Sequence, residues 1–391
     1  MRRLSLPLGF AQKVDPIWNE PVITGNAGAL ARDEREARNS YIVKKVDTER
    51  AAHAVRARAP ALPVLGCLFR PHHFLGKALP FLLFCFLLNV VVLRAQVNRR
   101  AAMDHLNRGT QELDAGDLEG ALAEFNRAIE LDPNYSAPYF SRGLVRRRQA
   151  DYDGAISDFT KAIELNPIAE AYLDRGAARK DKGDRDGAIA DYTKAIELND
   201  KYADAYYDRG IALDDKAEHD RAIRDFTRSI ELSPQQAKAF VGRGYARMRK
   251  GEVDGALADY TKAIELNPRS FLAFYNRAFA RKQKGDLDGA IADFTKALEI
   301  DSTDVDACYE RGILRGARGD LDGAIADFTK AIEVNPRHAK AYANRGIIML
   351  LQGRDADAQK EFDTALKIEN TLNPDLQNRI NQIVRGRKSK P

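Results

Sequence analysis

With 391 residues, 44% of them hydrophobic and 30% charged, the chain can bury a sizeable core and does not have the profile of a disordered protein. Its net charge of +5 is uneven: residues 1–100 hold 16 Lys and Arg against 7 Asp and Glu, and the rest 46 against 50. A slightly acidic body argues against nucleic acid as the main partner, and three scattered cysteines can build neither a disulfide framework nor a cysteine-based zinc site.

Residues 1–76 are basic, contain prolines and show no hydrophobic period, so they read as a disordered leader. Within 77–94 lies ALPFLLFCFLLNVVVL (78–93), sixteen uncharged residues between Lys77 and Arg94. This is shorter than the roughly 20 residues of a transmembrane helix, though the flanking cations can extend it by snorkelling. Three readings compete: a signal anchor, a signal peptide cleaved near Ala95 or Gln96, or a helix buried against the rest of the chain. Membrane anchoring or export is favoured over burial, and the analogy with signal anchors puts the following domain outside the cytoplasm, periplasmic in a bacterium. A cytoplasmic location is the alternative. The flanking charges balance (Arg56, Arg58, Arg70 and Lys77 against Arg94, Arg99, Arg100 and Arg108), so they set no orientation.

From residue 102 to 372 a period of thirty-four residues runs eight times. Its marker is an arginine followed by a small residue: Arg108-Gly109, Arg142-Gly143, Arg175-Gly176, Arg209-Gly210, Arg243-Gly244, Arg277-Ala278, Arg311-Gly312 and Arg345-Gly346. One step is thirty-three, where the linker before Arg175 is a residue shorter. Twelve residues after the small residue every unit has alanine, and four further on every unit has an aromatic: Phe125, Phe159, Tyr192, Phe226, Tyr260, Phe294, Phe328 or Phe362. Offsets of four and three then place Ala or Ser on the same helical face, and proline stops the helix in five units.

Each unit therefore reads as two antiparallel helices joined by a tight turn, written as Gly followed by Asp or Glu in most units. The glycine ends one helix left-handed and the acid opens the next. One such pair cannot bury its apolar face alone, whereas stacked pairs can, which explains the multiplicity. After the last unit, residues 373–385 repeat apolar positions at Leu376, Ile380 and Ile383 and read as a capping helix, followed by a basic tail, 386–391.

The small, Ala, aromatic, Ala and Pro positions at these offsets resemble the tetratricopeptide repeat family. The resemblance implies an all-α fold, an α-solenoid in which antiparallel helix pairs form a right-handed superhelix. It also implies a non-catalytic interaction scaffold that holds a partner peptide or helix on a concave side lined by the first helix of each unit. The alternative is the targeting or regulatory array of an enzyme complex whose catalysis resides in a partner.

Two departures from the family stand out. Arginine precedes the small residue in all eight units, where leucine is usual, and Arg146, Arg179, Arg247, Arg281 and Arg315 stand three residues after it. Sixteen residues after each of the eight arginines is an acid: Glu124, Asp158, Asp191, Asp225, Asp259, Asp293, Asp327 or Glu361. A ladder for acidic partners is one reading. A repeated internal ion pair, with the arginine stem covering apolar surface, is the stronger one.

The expected partner groove is lined by Phe140, Tyr207, Tyr275 and Tyr309, two residues before the arginine, and by Leu144, Ile211, Tyr245, Phe279, Ile313 and Ile347, just after the small residue. Aromatics there give contact area at low entropic cost, although packing between units would use the same side chains. Charges that vary by unit (Glu170, Asp204, Lys238, Asp306, Lys340) could write specificity. The Lys and Asn with which one subgroup of the family grips a C-terminal carboxylate correspond to Leu106 and Thr110, which disfavours that activity.

Nothing points to catalysis. The six histidines are dispersed, His72-His73 beside Cys67 lies in the leader, and there is no phosphate loop with its lysine and no serine elbow. No cofactor and no metal are expected, and the oligomeric state is open.

Overall fold

The computed structural model describes residues 75–388; for 75–86, 88, 92 and 388 the backbone alone is described. The leader assigned to 1–76, with His72, His73 and Cys67, thus falls almost wholly outside the described residues. The chain is an all-α solenoid of helix pairs, and no strand occurs among the described residues. It divides into two compact units, one ending at Ala217 and the other starting at Glu218.

The first unit contains α1 (Leu75–Ala115), α2 (Leu118–Leu131), α3 (Ser136–Arg148), α4 (Tyr152–Leu165), α5 (Ala169–Lys182), α6 (Arg185–Leu198) and α7 (Ala203–Asp215). Helix α1 joins without a break what the sequence separates, the uncharged run at 78–93 and the first helix of the first repeat. Along it Leu87, Val90, Val91, Leu93 and Val97 are exposed, so the described side chains of the run do not pack on the rest of the unit. Further on, Arg99 fastens the helix down: its guanidinium lies 3.8 Å from the centre of the Tyr135 ring and Nη1 donates to Asp132 at 2.7 Å. Among the described residues no helix is long and apolar enough to cross a membrane.

The second unit contains α8 (His219–Leu232), α9 (Ala237–Lys250), α10 (Val253–Leu266), α11 (Phe271–Gln283), α12 (Leu287–Ile300), α13 (Val305–Ala317), α14 (Leu321–Val334), α15 (Ala339–Leu351) and α16 (Asp355–Ile368). A 3-10 turn (Asn370–Leu372) and α17 (Asn373–Lys388) close it. Leu376 and Ile383 of α17 are buried with Ile347, Leu350 and Phe362, so the last pair is covered by a helix of different pattern.

The same local chemistry builds each turn. Gly116, Gly183, Gly251, Gly285, Gly319 and Gly353 end a helix with φ between 78° and 96°. In four of these turns the next residue, Asp117, Asp184, Asp286 or Asp320, and after Ala150 likewise Asp151, caps the following helix by accepting the N–H of the glycine three residues on. That second glycine is needed for closeness, because a Cβ on Gly323 would sit 2.1 Å from the Asp320 carboxylate.

Within a pair, the aromatic of the second helix closes on the glycine of its own first helix. A Cβ on Gly109, Gly176 or Gly346 would fall within 2.6–2.7 Å of Phe125, Tyr192 or Phe362. The aromatic also reaches the following pair: a Cβ on Gly242 of α9 would fall 2.7 Å from Phe226 of α8.

Candidate functional site

Within each unit the first helices of some successive pairs approach one another closely, α3 with α5 and α5 with α7, then α9 with α11 and α13 with α15. No such approach joins successive second helices, so the first helices crowd to the inner side. The ten expected groove residues all lie on these helices, and the structure sorts them by burial. Tyr207, Tyr309, Ile313 and Ile347 are at most 7% exposed and belong to the packing between helices. Phe140, Leu144 and Ile211 in the first unit, and Tyr245, Tyr275 and Phe279 in the second, stay half-buried.

Burial at equal repeat positions differs because the neighbour differs. The Tyr309 hydroxyl accepts a hydrogen bond from Asn344 Nδ2 at 2.8 Å, and its ring lies 4.8 Å from that of His338. His338 in turn opens α15, its Nδ1 accepting the Ala341 N–H at 3.1 Å. Tyr275 has no such lid. It is the middle rung of an aromatic row on α11, with Phe271 at 5.4 Å and Phe279 at 5.0 Å between ring centres, and both Tyr275 and Phe279 stand edge-on against Phe294.

The row faces carboxylates. Lys282 Nζ, 5.8 Å from the centre of the Phe279 ring, donates to Glu310 at 2.7 Å and so bridges α11 to α13, which do not approach as closely as α9 and α11 do. Asp304 caps α13 through the Ala307 N–H at 2.7 Å, and burial pushes its carboxyl above the usual range. Burial, then the charges of Asp306, Asp304 and Glu310, push the Tyr275 hydroxyl well above the ordinary tyrosine range. Asp306 itself is exposed and enters no ion pair among the described residues.

The arginine ladder lies elsewhere and is occupied. Seven of the eight expected pairings fall within one unit or the other, and all seven form: Arg108 with Glu124, Arg142 with Asp158, Arg175 with Asp191, Arg243 with Asp259, Arg277 with Asp293, Arg311 with Asp327 and Arg345 with Glu361. Asp158, Asp191, Asp259, Asp293 and Asp327 are 2–3% exposed, and each also receives the arginine four residues on, Arg146, Arg179, Arg247, Arg281 or Arg315. Two cations answer the cost of burying each carboxylate.

Sequence reasoning missed what ties one pair to the next. The ladder arginine also donates through Nη1 to a threonine of the preceding second helix, as Arg175 does to Thr160, Arg243 to Thr227 and Arg311 to Thr295. A second rung joins the end of a first helix to the acid opening the preceding second helix: Lys182 to Asp153, Lys250 to Asp220 and Arg318 to Asp288. Fixed offsets of sixteen and about thirty residues carried both signals.

Among the described residues no three His, Cys, Asp or Glu side chains converge as a metal site. Cys308 is buried in α13, which pushes its thiol up to about 11.

Profiles of the family described as TPR repeat match residues 109–149, 176–216 and 244–285, and those described as tetratricopeptide repeat match 137–168, 203–236, 271–304 and 309–374. Among solved structures, a tetratricopeptide repeat protein from Parabacteroides merdae is 19% identical over 68% of this chain and 99% of its own, with a TM-score of 0.50, a likeness of fold alone. MamA is 29% identical over 43% of this chain and 93% of its own (TM-score 0.40). YrrB, a TPR protein with an unusual peptide-binding site, is 24% identical over 50% and 97% (TM-score 0.44). No curated protein matches the chain.

Proposed function

We propose, from the premise that the chain belongs to the tetratricopeptide repeat family, that it is a non-catalytic scaffold which binds a protein or peptide partner along its first helices. The observation that carries this reading is the contrast in burial between the two kinds of helix. Aromatics of the second helices, such as Tyr260, Phe294 and Phe328, are at most 1% exposed, whereas Tyr245, Tyr275 and Phe279 on the first helices keep part of their surface open. Half-open aromatics beside varied charges provide contact area and selectivity together.

The test is capture of partners from native extract by the wild-type chain and by the Tyr275→Ala, Phe279→Ala double variant. Loss of specific partners in the variant at unchanged thermal stability supports the reading; identical captured sets reject it.

A second reading concerns residues 78–93. The uncharged sequence of 78–93, together with the exposure of Leu87, Val90, Val91 and Leu93 over about half of the circumference of α1, favours attachment to a membrane, since a helix apolar in sequence on all sides is ordinarily surrounded by core or lipid. The repeats would then stand outside the cytoplasm, with a cytoplasmic array as the alternative. Flotation of the chain with lipid vesicles, and protease protection in cells, test attachment and side in turn; a chain that stays with the soluble fraction rejects it.

A further inference from the structure

We infer that the surface shared by α11 and α13 is a subsite for an arginine side chain of the partner segment, the Tyr275–Phe279 row taking the guanidinium face and Asp306 its N–H edge. The inference rests on the groove reading and adds the chemistry of what is bound. Three observations converge on it. The aromatic row is half-open on α11 and lies beside α13, to which Lys282 bridges it. Three carboxylates act on it, Asp304, Asp306 and Glu310; Glu310 is paired with Lys282, and Asp306 enters no ion pair among the described residues.

The third is that the chain already shows how a cation sits here. Lys282 lies over Phe279 and reaches Glu310, combining an aromatic face with a carboxylate. Four residues, one helical turn, before Phe279 and Glu310 stand Tyr275 and Asp306, which repeat the combination with no ion-paired cation among the described residues. Arginine suits it better than lysine, because a planar, weakly hydrated guanidinium can stack on a ring while its edge forks onto a carboxylate. The contact is partly exposed, so its strength must fall as salt rises.

The probe is a fluorescent twelve-residue peptide with arginine at alternate positions, set against the same peptide with citrulline, which keeps the shape and removes the charge. Binding to the full chain is followed by fluorescence anisotropy. The arginine peptide is expected to bind about ten-fold more tightly, and Asp306→Asn to bring it within about two-fold of the citrulline peptide. Lys282→Met, which frees Glu310, is expected to strengthen arginine binding by a few-fold. Equal affinity of the two peptides, no binding of either, or an undiminished preference in Asp306→Asn overturns the inference. Equal affinity leaves the groove reading standing, because only unchanged partner capture by the Tyr275 and Phe279 double variant removes that.

Discussion

Arg243 forks onto Asp259 across its helix pair, Nη2 to Oδ1 at 2.7 Å and Nε to Oδ2 at 3.1 Å, while Nη1 reaches Thr227 of the preceding second helix at 3.2 Å. One side chain thus ties together a pair and its neighbour. Arg243→Ala is expected to cost about 2 kcal/mol, below the 3–5 kcal/mol typical of breaking a buried pair, since Arg247 still holds Asp259 at 2.7 Å. Asp259→Ala should cost more, because it strands both arginines. Urea unfolding of the two variants checks the ranking, and unchanged stability in both would remove the ladder from the account of the fold.

Two of the helix-ending turns break the glycine rule. Ala150 and Ala217 both have φ of 61°, in the left-handed region that six glycines occupy at equivalent positions. A Cβ there costs about 1–2 kcal/mol, part of which is offset by the looser unfolded chain of a glycine variant. Ala150→Gly and Ala217→Gly should therefore each stabilise by about 0.5–1 kcal/mol, read as a higher denaturation midpoint at unchanged slope. A lower midpoint in either would contradict the argument.

The Asp320 cap and Gly323 act as one device. Gly323→Ala pushes a methyl against the carboxylate, and Asp320→Ala removes the acceptor, so each should cost about 1 kcal/mol. The double variant should cost little more than either, because the second change removes nothing the first has left. Additive costs in a double-mutant cycle would show that the two are independent.

His338 gives the second unit an acid-sensitive joint. Its Nδ1 must stay unprotonated to accept the Ala341 N–H, and burial holds the imidazole below its ordinary value even though Asp306 pulls it up. The unfolded chain therefore takes up a proton first, as pH falls through about 6.5. The contribution is complete above that pH and is lost on the way down to the lowered native value. His338→Asn, which can keep the cap without titrating, should flatten the stability profile between pH 7 and 5; an unaltered profile would show that the imidazole is not responsible.

Much of the fold was legible because a stacked array repeats its instructions. Arginines and acids sixteen residues apart specify the pairing of helices, and the glycine with its following acid specifies the turns. What ties one pair to the next was less visible, since Thr227 or Asp220 acquires its role only when the register between pairs is known. The groove was legible as a row of positions and no further. Tyr275 and Tyr309 hold the same place in their repeats, yet Asn344 and His338 close over one, while the other faces the carboxylates Asp306, Asp304 and Glu310. Sequence alone gave no warning that the run at 78–93 and the first repeat would share one helix.

That shared helix is also a gear. Because α1 is continuous from Leu75 to Ala115, its two ends are locked in rotational phase. Removing one residue between Arg94 and Ala102 would turn the apolar end by about 100° about the axis and draw it in by about 1.5 Å, with every repeat left intact. The azimuth at which the array presents its first helices to whatever holds α1 is thus set by a residue count.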